Sequence, residues 1–349
     1  MRLVGAAALV VALALVVGCG SDGQKPTEVV LVTHDSFAVS KDVKRSLERE
    51  LGVPLRILQG GDAAAMTNKA LLTAGKPQGD VIFGIDDNLV SRVEAGELLD
   101  EHTPDAAGSL DPAYRVVAGK LTPIDHGEVC LNYDRGWFET HGVGRGVAPP
   151  ATLADLAKPA YRGLLVVEDP ATSSPGLAFL LATVARYGDG WQQYWRRLRE
   201  NGVLVVDGWE EAYTQEFSGA AGSKGKRPIV VSYATSPAAE VIFAGRPLAE
   251  SPTAAVEDGC YRQIEYAGVL RGAHNPDGAR KLIELMLSER FQEDVPSSMF
   301  VYPVRAGVRL PTAFLKHAIV PKAPLQLPSD EVAANRDAWI REWTDIVVR

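Results

Sequence analysis

The chain reads as an α/β protein whose sheets are mainly parallel and flanked by helices, and three observations carry that reading. Short β-branched runs alternate with helical stretches through most of the 349 residues, the pattern of strand–crossover–strand layers. That length calls for two domains, at roughly 100–200 residues each. Polar and aromatic residues gather just after the strands and just before the helices, the edge on which open α/β sheets hold ligands.

The elements follow in order. Val29–Thr33 (VVLVT) is a buried-strand run, followed by the loop His34-Asp35-Ser36-Phe37. Val43, Leu47 and Leu51 recur at i, i+4 and i+8 along a charged helix that Gly52 ends. Leu55–Leu58 is a second strand, and Asp62 stands where a cap belongs before a helix over Ala63–Ala74 closed by Gly75. Val81–Ile85 is a third strand, leading into Asp86-Asp87-Asn88. Strands over Leu164–Val167, Val203–Val206 and Ile229–Tyr233 lead into DPATSSPG, DGWEEAY and ATSPAAE. Pro175 after Ser174 and Pro237 after Ser236 predict serine-capped helices with proline in the first turn. Trp191 and Trp195, like Trp339 and Trp343, are spaced i, i+4 and read as packing pairs.

The N-terminus predicts export. Residues 1–18 hold one Arg and an apolar run from Leu3 to Val17 too short to span a bilayer stably. Val16-Val17-Gly18-Cys19 is a bacterial lipoprotein signal, with Cys19 placed to carry lipid and residues 19–27 as a polar tether. The expected location is the outer face of the cell membrane. The net charge of −8 argues against nucleic acid or anionic lipid as partner, since both want a basic surface. Apart from Cys19 the cysteines are Cys130 and Cys260, which suit one disulfide or two separate buried thiols. The six histidines show no metal-ligand spacing, and no G-x-S-x-G, P-loop or G-x-G-x-x-G occurs. The expectation is a binding protein, not an enzyme, with neither metal nor cofactor.

Several stretches keep one order from about residue 29 to the C-terminus: Asp35-Ser36-Phe37, GDVIFGIDDNL from Gly79, DPATSSPGL from Asp169 and DGWEEAY from Asp207. VSYATSP from Val231, Tyr302-Pro303-Val304 and EVAANRDAWIREW from Glu331 complete the set. Together they resemble the thiamine-binding lipoproteins of ABC importers, a branch of the two-lobed, type II periplasmic-type solute-binding proteins. The resemblance implies two α/β lobes that close like a hinge on a ligand between them. It places residues 28–124 and 265–349 in one lobe and 125–264 in the other. The crossings fall near Pro123–Tyr133 and Tyr261–Leu270, with Cys130 and Cys260 on or beside them. It implies a monomer that captures thiamine or a thiamine phosphate and delivers it to a membrane permease.

Thiamine combines a cationic thiazolium, a flat aminopyrimidine and a hydroxyl or phosphate tail, so it asks for aromatic faces, acceptors and hydroxyls. By resemblance Trp209 and Tyr233 face the ligand, Ser173 is a polar contact and Asp62 lies in the loop supplying an acidic contact. Ser36 and Asp86 occupy strand-end loops on the same edge. His34 and Phe300 stand at positions where the family carries rings, and Lys41 and Ala239 at two more where this chain has none. Lys41 is either a phosphate contact or a solvated first-turn residue. Tyr213, four residues after Trp209, belongs to cleft or core. The alternatives are a ferric-iron receptor, which wants two neighbouring tyrosinates, and a polyamine or phosphonate receptor. A thiamine-degrading enzyme would need Cys130 or Cys260 as nucleophile.

Overall fold

Two long strands organise the molecule. The computed structural model describes residues 26–349 except 112, 113, 115–118 and 247; the leader, Cys19 and most of the tether lie outside the described residues. The strands are β1 (Val29–Thr33), β2 (Leu55–Gln59), β3 (Val81–Asp86), β4 (Leu99–Asp100) and β5 (Thr122–Asp134). They continue with β6 (Leu165–Glu168), β7 (Leu204–Val206), β8 (Ile229–Tyr233), β9 (Thr253–Leu270) and β10 (Tyr302–Pro303). They join into one sheet of order β2-β1-β3-β9-β5-β8-β6-β7, with β4 beside β9 and β10 beside β5.

Each end of the sheet is a parallel wing, as the alternating pattern predicts: β1 runs parallel to β2 and β3, and β6 parallel to β7 and β8. The centre departs from that expectation. β5 and β9 are antiparallel to each other and to the wing strands β8 and β3. They fuse two wings into a single hydrogen-bonded surface. The proposed crossing segments, Pro123–Tyr133 and Tyr261–Leu270, lie inside these two strands. Their register slips between Val129 and Leu131, and Cys130 and Cys260 are joined there by a disulfide.

Local chemistry explains several helix starts. Ser40 caps Lys41–Leu51 by accepting from Val43 N at 3.3 Å, and Gly52 ends that helix at φ 77°, a conformation that suits glycine. Two caps differ from expectation. Ser174 is already helical in Ser174–Tyr187, and Ser173 is the cap, its Oγ accepting from Gly176 N at 3.3 Å. Ser236 is already helical in Ser236–Phe243, Thr235 before it makes no side-chain cap bond, and the Ser236 hydroxyl turns back to Ser232 Oγ and Tyr233 N.

The apolar faces close on two main clusters. One wing packs Leu31, Phe83 and Ile283 among helices Lys41–Leu51, Pro276–Met286 and Glu289–Ser298. The larger cluster runs from Ile82 and Met66 through Leu177–Ala182 to Trp195. The C-terminal helix Ser329–Val347, expected with the first lobe, packs on the opposite wing. Trp343 meets Trp195 edge-on at 5.4 Å, and both rings are buried. Trp195 and Trp343, one from each pair, thus pack on each other, a contact worth several kcal/mol if either is truncated.

Candidate functional site

A cavity of about 570 Å³ opens between the wings on the carboxyl-end edge of the strands, within the range of small-ligand sites. One wall carries His34, Ser36, Asp62 and the segment Ser297–Val301; the facing wall carries Ser174, Trp209, Tyr213, Ser236, Ala239, Glu240 and Phe243. Tyr233 ends β8 and Glu265 comes from β9. Among the described lining residues are four acids (Asp62, Glu210, Glu240 and Glu265) and no Lys or Arg. Such a site favours positive charge.

The aromatic group is layered. The Trp209 indole stacks on the Tyr213 ring at 5.0 Å and 14°, and Tyr233 meets it edgewise at 6.4 Å. Trp209 Nε1 donates to Ser232 Oγ at 2.9 Å, and Tyr213 OH donates to Glu240 Oε1 at 2.8 Å. These bonds fix the ring planes, so a flat ligand meets a preformed aromatic surface. Tyr213 belongs to both cleft and core, since it also packs on Phe217. On the other wall Phe300 sits at φ 59°, a left-handed conformation costing roughly 1–2 kcal/mol. Its ring packs on Phe243 at 4.8 Å.

Asp62 spans the gap. Its Oδ1 accepts from Ala63 N at 2.6 Å and Ser174 N at 3.1 Å, and its Oδ2 from Trp209 N at 3.0 Å. Three helix starts thus converge on one carboxylate, a favourable place for negative charge. Burial nevertheless raises its pKa to about 6, against the pull of those N–H groups. Ala65 N donates to Thr172 O at 3.0 Å alongside, so the two walls touch directly.

His34 is seated by a glycine. Gly84 lies at a bulge in β3 with φ 101°, and a Cβ there would approach His34 Cδ2 to 2.4 Å. The imidazole shares a hydrogen bond with Ser36 Oγ through Nδ1 at 2.8 Å. Burial lowers its pKa to about 4, so it is neutral near pH 7. Its Nε2 stands 3.7 Å from Glu265, beyond hydrogen-bond range. With the imidazole neutral this contact is not an ion pair. Glu265 is raised by burial and by the charges of Asp86 and Asp62. Asp125 is raised by burial and then by Glu265.

The cavity brings together His34, Ser36, Asp62, Trp209, Tyr213, Tyr233 and Phe300. Ser173 and Asp86 lie behind the wall. The Ser173 hydroxyl is spent on its own helix, and Asp86 accepts from Ser174 Oγ and from Asn88 N at 2.7 Å. Ser174 takes the expected place of Ser173. Lys41 is exposed at a helix start and is not among the lining residues. Sequence reasoning missed Glu240, Glu265, Glu210 and Phe243. The two buried acids carried a signal: each is a lone charge in an apolar segment, SPAAEVIF and IEYAGVL.

The profile of the bacterial extracellular solute-binding protein family matches residues 77–335. The chain belongs to this family. It is 30% identical over 345 residues to the thiamine-binding periplasmic protein of Salmonella typhimurium, covering 97% of this chain and 98% of that protein. The fold is similar to a solved periplasmic thiamin binding protein with a TM-score of 0.80 and 28% identity over 92% of this chain and 96% of that one. Iron-bound HitA from Pseudomonas aeruginosa matches with a TM-score of 0.71 at 17% identity, over 91% of this chain and 99% of that one. That last likeness concerns architecture alone: the fold is the two-lobed one of periplasmic binding proteins.

Proposed function

We propose that this protein is the extracytoplasmic receptor of an ABC importer, capturing thiamine or a thiamine phosphate and passing it to a membrane permease. One observation carries the reading: a Trp209–Tyr213–Tyr233 aromatic surface faces a cavity lined by four acids and no Lys or Arg. A flat organic cation gains from both, through cation–π contact of about 0.5–2 kcal/mol per ring and through charge. The names of the relatives at 30% and 28% identity support the same ligand. Ser174, Ser236 and Ser298 offer hydroxyls to the tail.

The chemistry of the site favours binding over catalysis. A thiamine-degrading mechanism needs a thiol, and Cys130 and Cys260 are bonded to each other. A ferric site asks for two neighbouring tyrosinates, and Tyr233 stands between Ser232 and Ala234 with no tyrosine beside it, which favours thiamine over ferric iron. The lobes proposed are 28–124 with 265–349, and 125–264, closing as a monomer about β5 and β9, with the C-terminal helix Ser329–Val347 of the first reaching across to pack on the second. Cys19 is the proposed lipid anchor; among the described residues no helix is long and apolar enough to cross a membrane.

Calorimetry against thiamine, its mono- and diphosphate, Fe³⁺ and spermidine tests the reading. Saturable heat with at least one thiamine form is expected, and with neither iron nor polyamine. Binding of Fe³⁺ or spermidine in place of every thiamine form would replace the reading.

A further inference from the structure

The strand register lines up three acids across three neighbouring strands: Asp86 of β3 faces Glu265 of β9, which faces Asp125 of β5. Asp86 is hydrogen-bonded. Asp125 is fully buried, and among the described residues neither of its carboxyl oxygens meets a donor in hydrogen-bonding geometry. His34 Nε2 is likewise buried and unbonded, 3.7 Å from Glu265. Both Glu265 and His34 line the cavity, whereas Asp125 lies behind it.

Neighbouring buried carboxyls do not both ionise, because each charge in a poorly solvated setting repels the next. The groups facing Glu265 are His34 after β1, Asp62, Asp86 of β3, Asp125 of β5 and Tyr233 of β8. None supplies positive charge at neutral pH. Arg262, on the same strand, is engaged by Glu128 at 2.9 Å.

We infer that Asp125 and Glu265 hold one proton between them beneath the cavity and release it to solvent when a cationic ligand docks. The ligand's positive charge replaces the proton: one O–H bond breaks, the proton leaves through the cavity mouth, and the ionised Glu265, which lines the cavity, faces the cation while Asp125 stays behind it. This rests on the thiamine reading above and deepens it, since it makes charge, not shape alone, the property selected.

The test is calorimetric titration of thiamine into the purified chain near neutral pH, in two buffers of different ionisation enthalpy, which counts protons released. About one more proton per thiamine is expected from the wild type than from Asp125→Asn, which still binds. Wild-type affinity should rise by up to about tenfold per pH unit between about pH 5.5 and 7, and more shallowly in the variant. Equal proton counts and equal slopes in the two would overturn the inference. Should Asp125→Asn fail to fold, Glu265→Gln serves, with weaker binding and the same loss of release expected.

Carboxyl ¹³C spectra of the unliganded chain separate the two layers of the argument. A protonated carboxyl resonance near neutral pH, absent from the variants, is expected whatever the ligand. No thiamine binding with that resonance present would sink the ligand assignment and the release step with it. Thiamine binding without the resonance would sink the proton pair alone.

Discussion

Trp209 shows how one side chain serves two ends. Its backbone N–H helps hold Asp62 at 3.0 Å while its ring stacks on Tyr213. Trp209→Ala keeps the backbone bond and removes the ring, so thiamine affinity should fall roughly twofold to thirtyfold by calorimetry. The unliganded melting point should move little; outright unfolding would place the ring in the core instead. His34 makes a pH prediction. Its folded pKa of about 4 lies below the ordinary 6.5, so the unfolded chain binds more protons between those values. Stability therefore rises with pH through that window and is lost as pH falls, by about 3 kcal/mol. In urea denaturation His34→Gln should remove that loss, gaining on the wild type between about pH 7 and 4. Parallel curves would mean that His34 reaches solvent.

At the scale of elements, β5 and β9 do what neither wing can do alone. Each pairs with the other and with one wing strand, and their irregular register around Val129–Leu131 is where Cys130 and Cys260 bond. The disulfide joins residues 130 apart in sequence, so it removes a large loop from the unfolded ensemble. Replacing both cysteines by Ala should cost about 3–5 kcal/mol in urea denaturation and leave thiamine binding largely intact. Loss of binding with unchanged stability would show that the bridge tunes the cavity instead. The helix Ser174–Tyr187 depends on close approach in the same way. A Cβ at Gly176 would meet Glu168 O at 2.6 Å, so this helix start can lie against β6 only with glycine there.

Across the whole molecule the Asp62 carboxylate joins the walls, accepting from Ser174 N and Trp209 N on the far side. Charged acceptors are worth about 1.5–3 kcal/mol per bond, which biases the unliganded receptor toward closure. Asp62→Ala should enlarge the radius of gyration of the ligand-free protein in X-ray scattering. Thiamine affinity should weaken by roughly tenfold to a hundredfold, because the ligand must then drive closure unaided. Unchanged scattering and affinity would assign Asp62 to capping Ala63 alone.

Much of the scaffold was legible along the chain. Val29–Thr33 and Ile229–Tyr233 are the strands that their apolar runs foretell, and the helix with Val43 and Leu47 ends at Gly52 as read. Such features depend on residues adjacent in sequence, through periodicity, capping and backbone preference. Trp209 and Tyr233 reached one cavity because strand ends share an edge in this topology. Tertiary structure alone decided the register that sets Asp125 beside Glu265, the claim of two distant N–H groups on Asp62, and the docking of Trp343 on Trp195. Each joins positions more than a hundred residues apart. Pairing at that distance is settled by the burial and hydrogen bonds gained when the whole sheet closes, which no local pattern encodes.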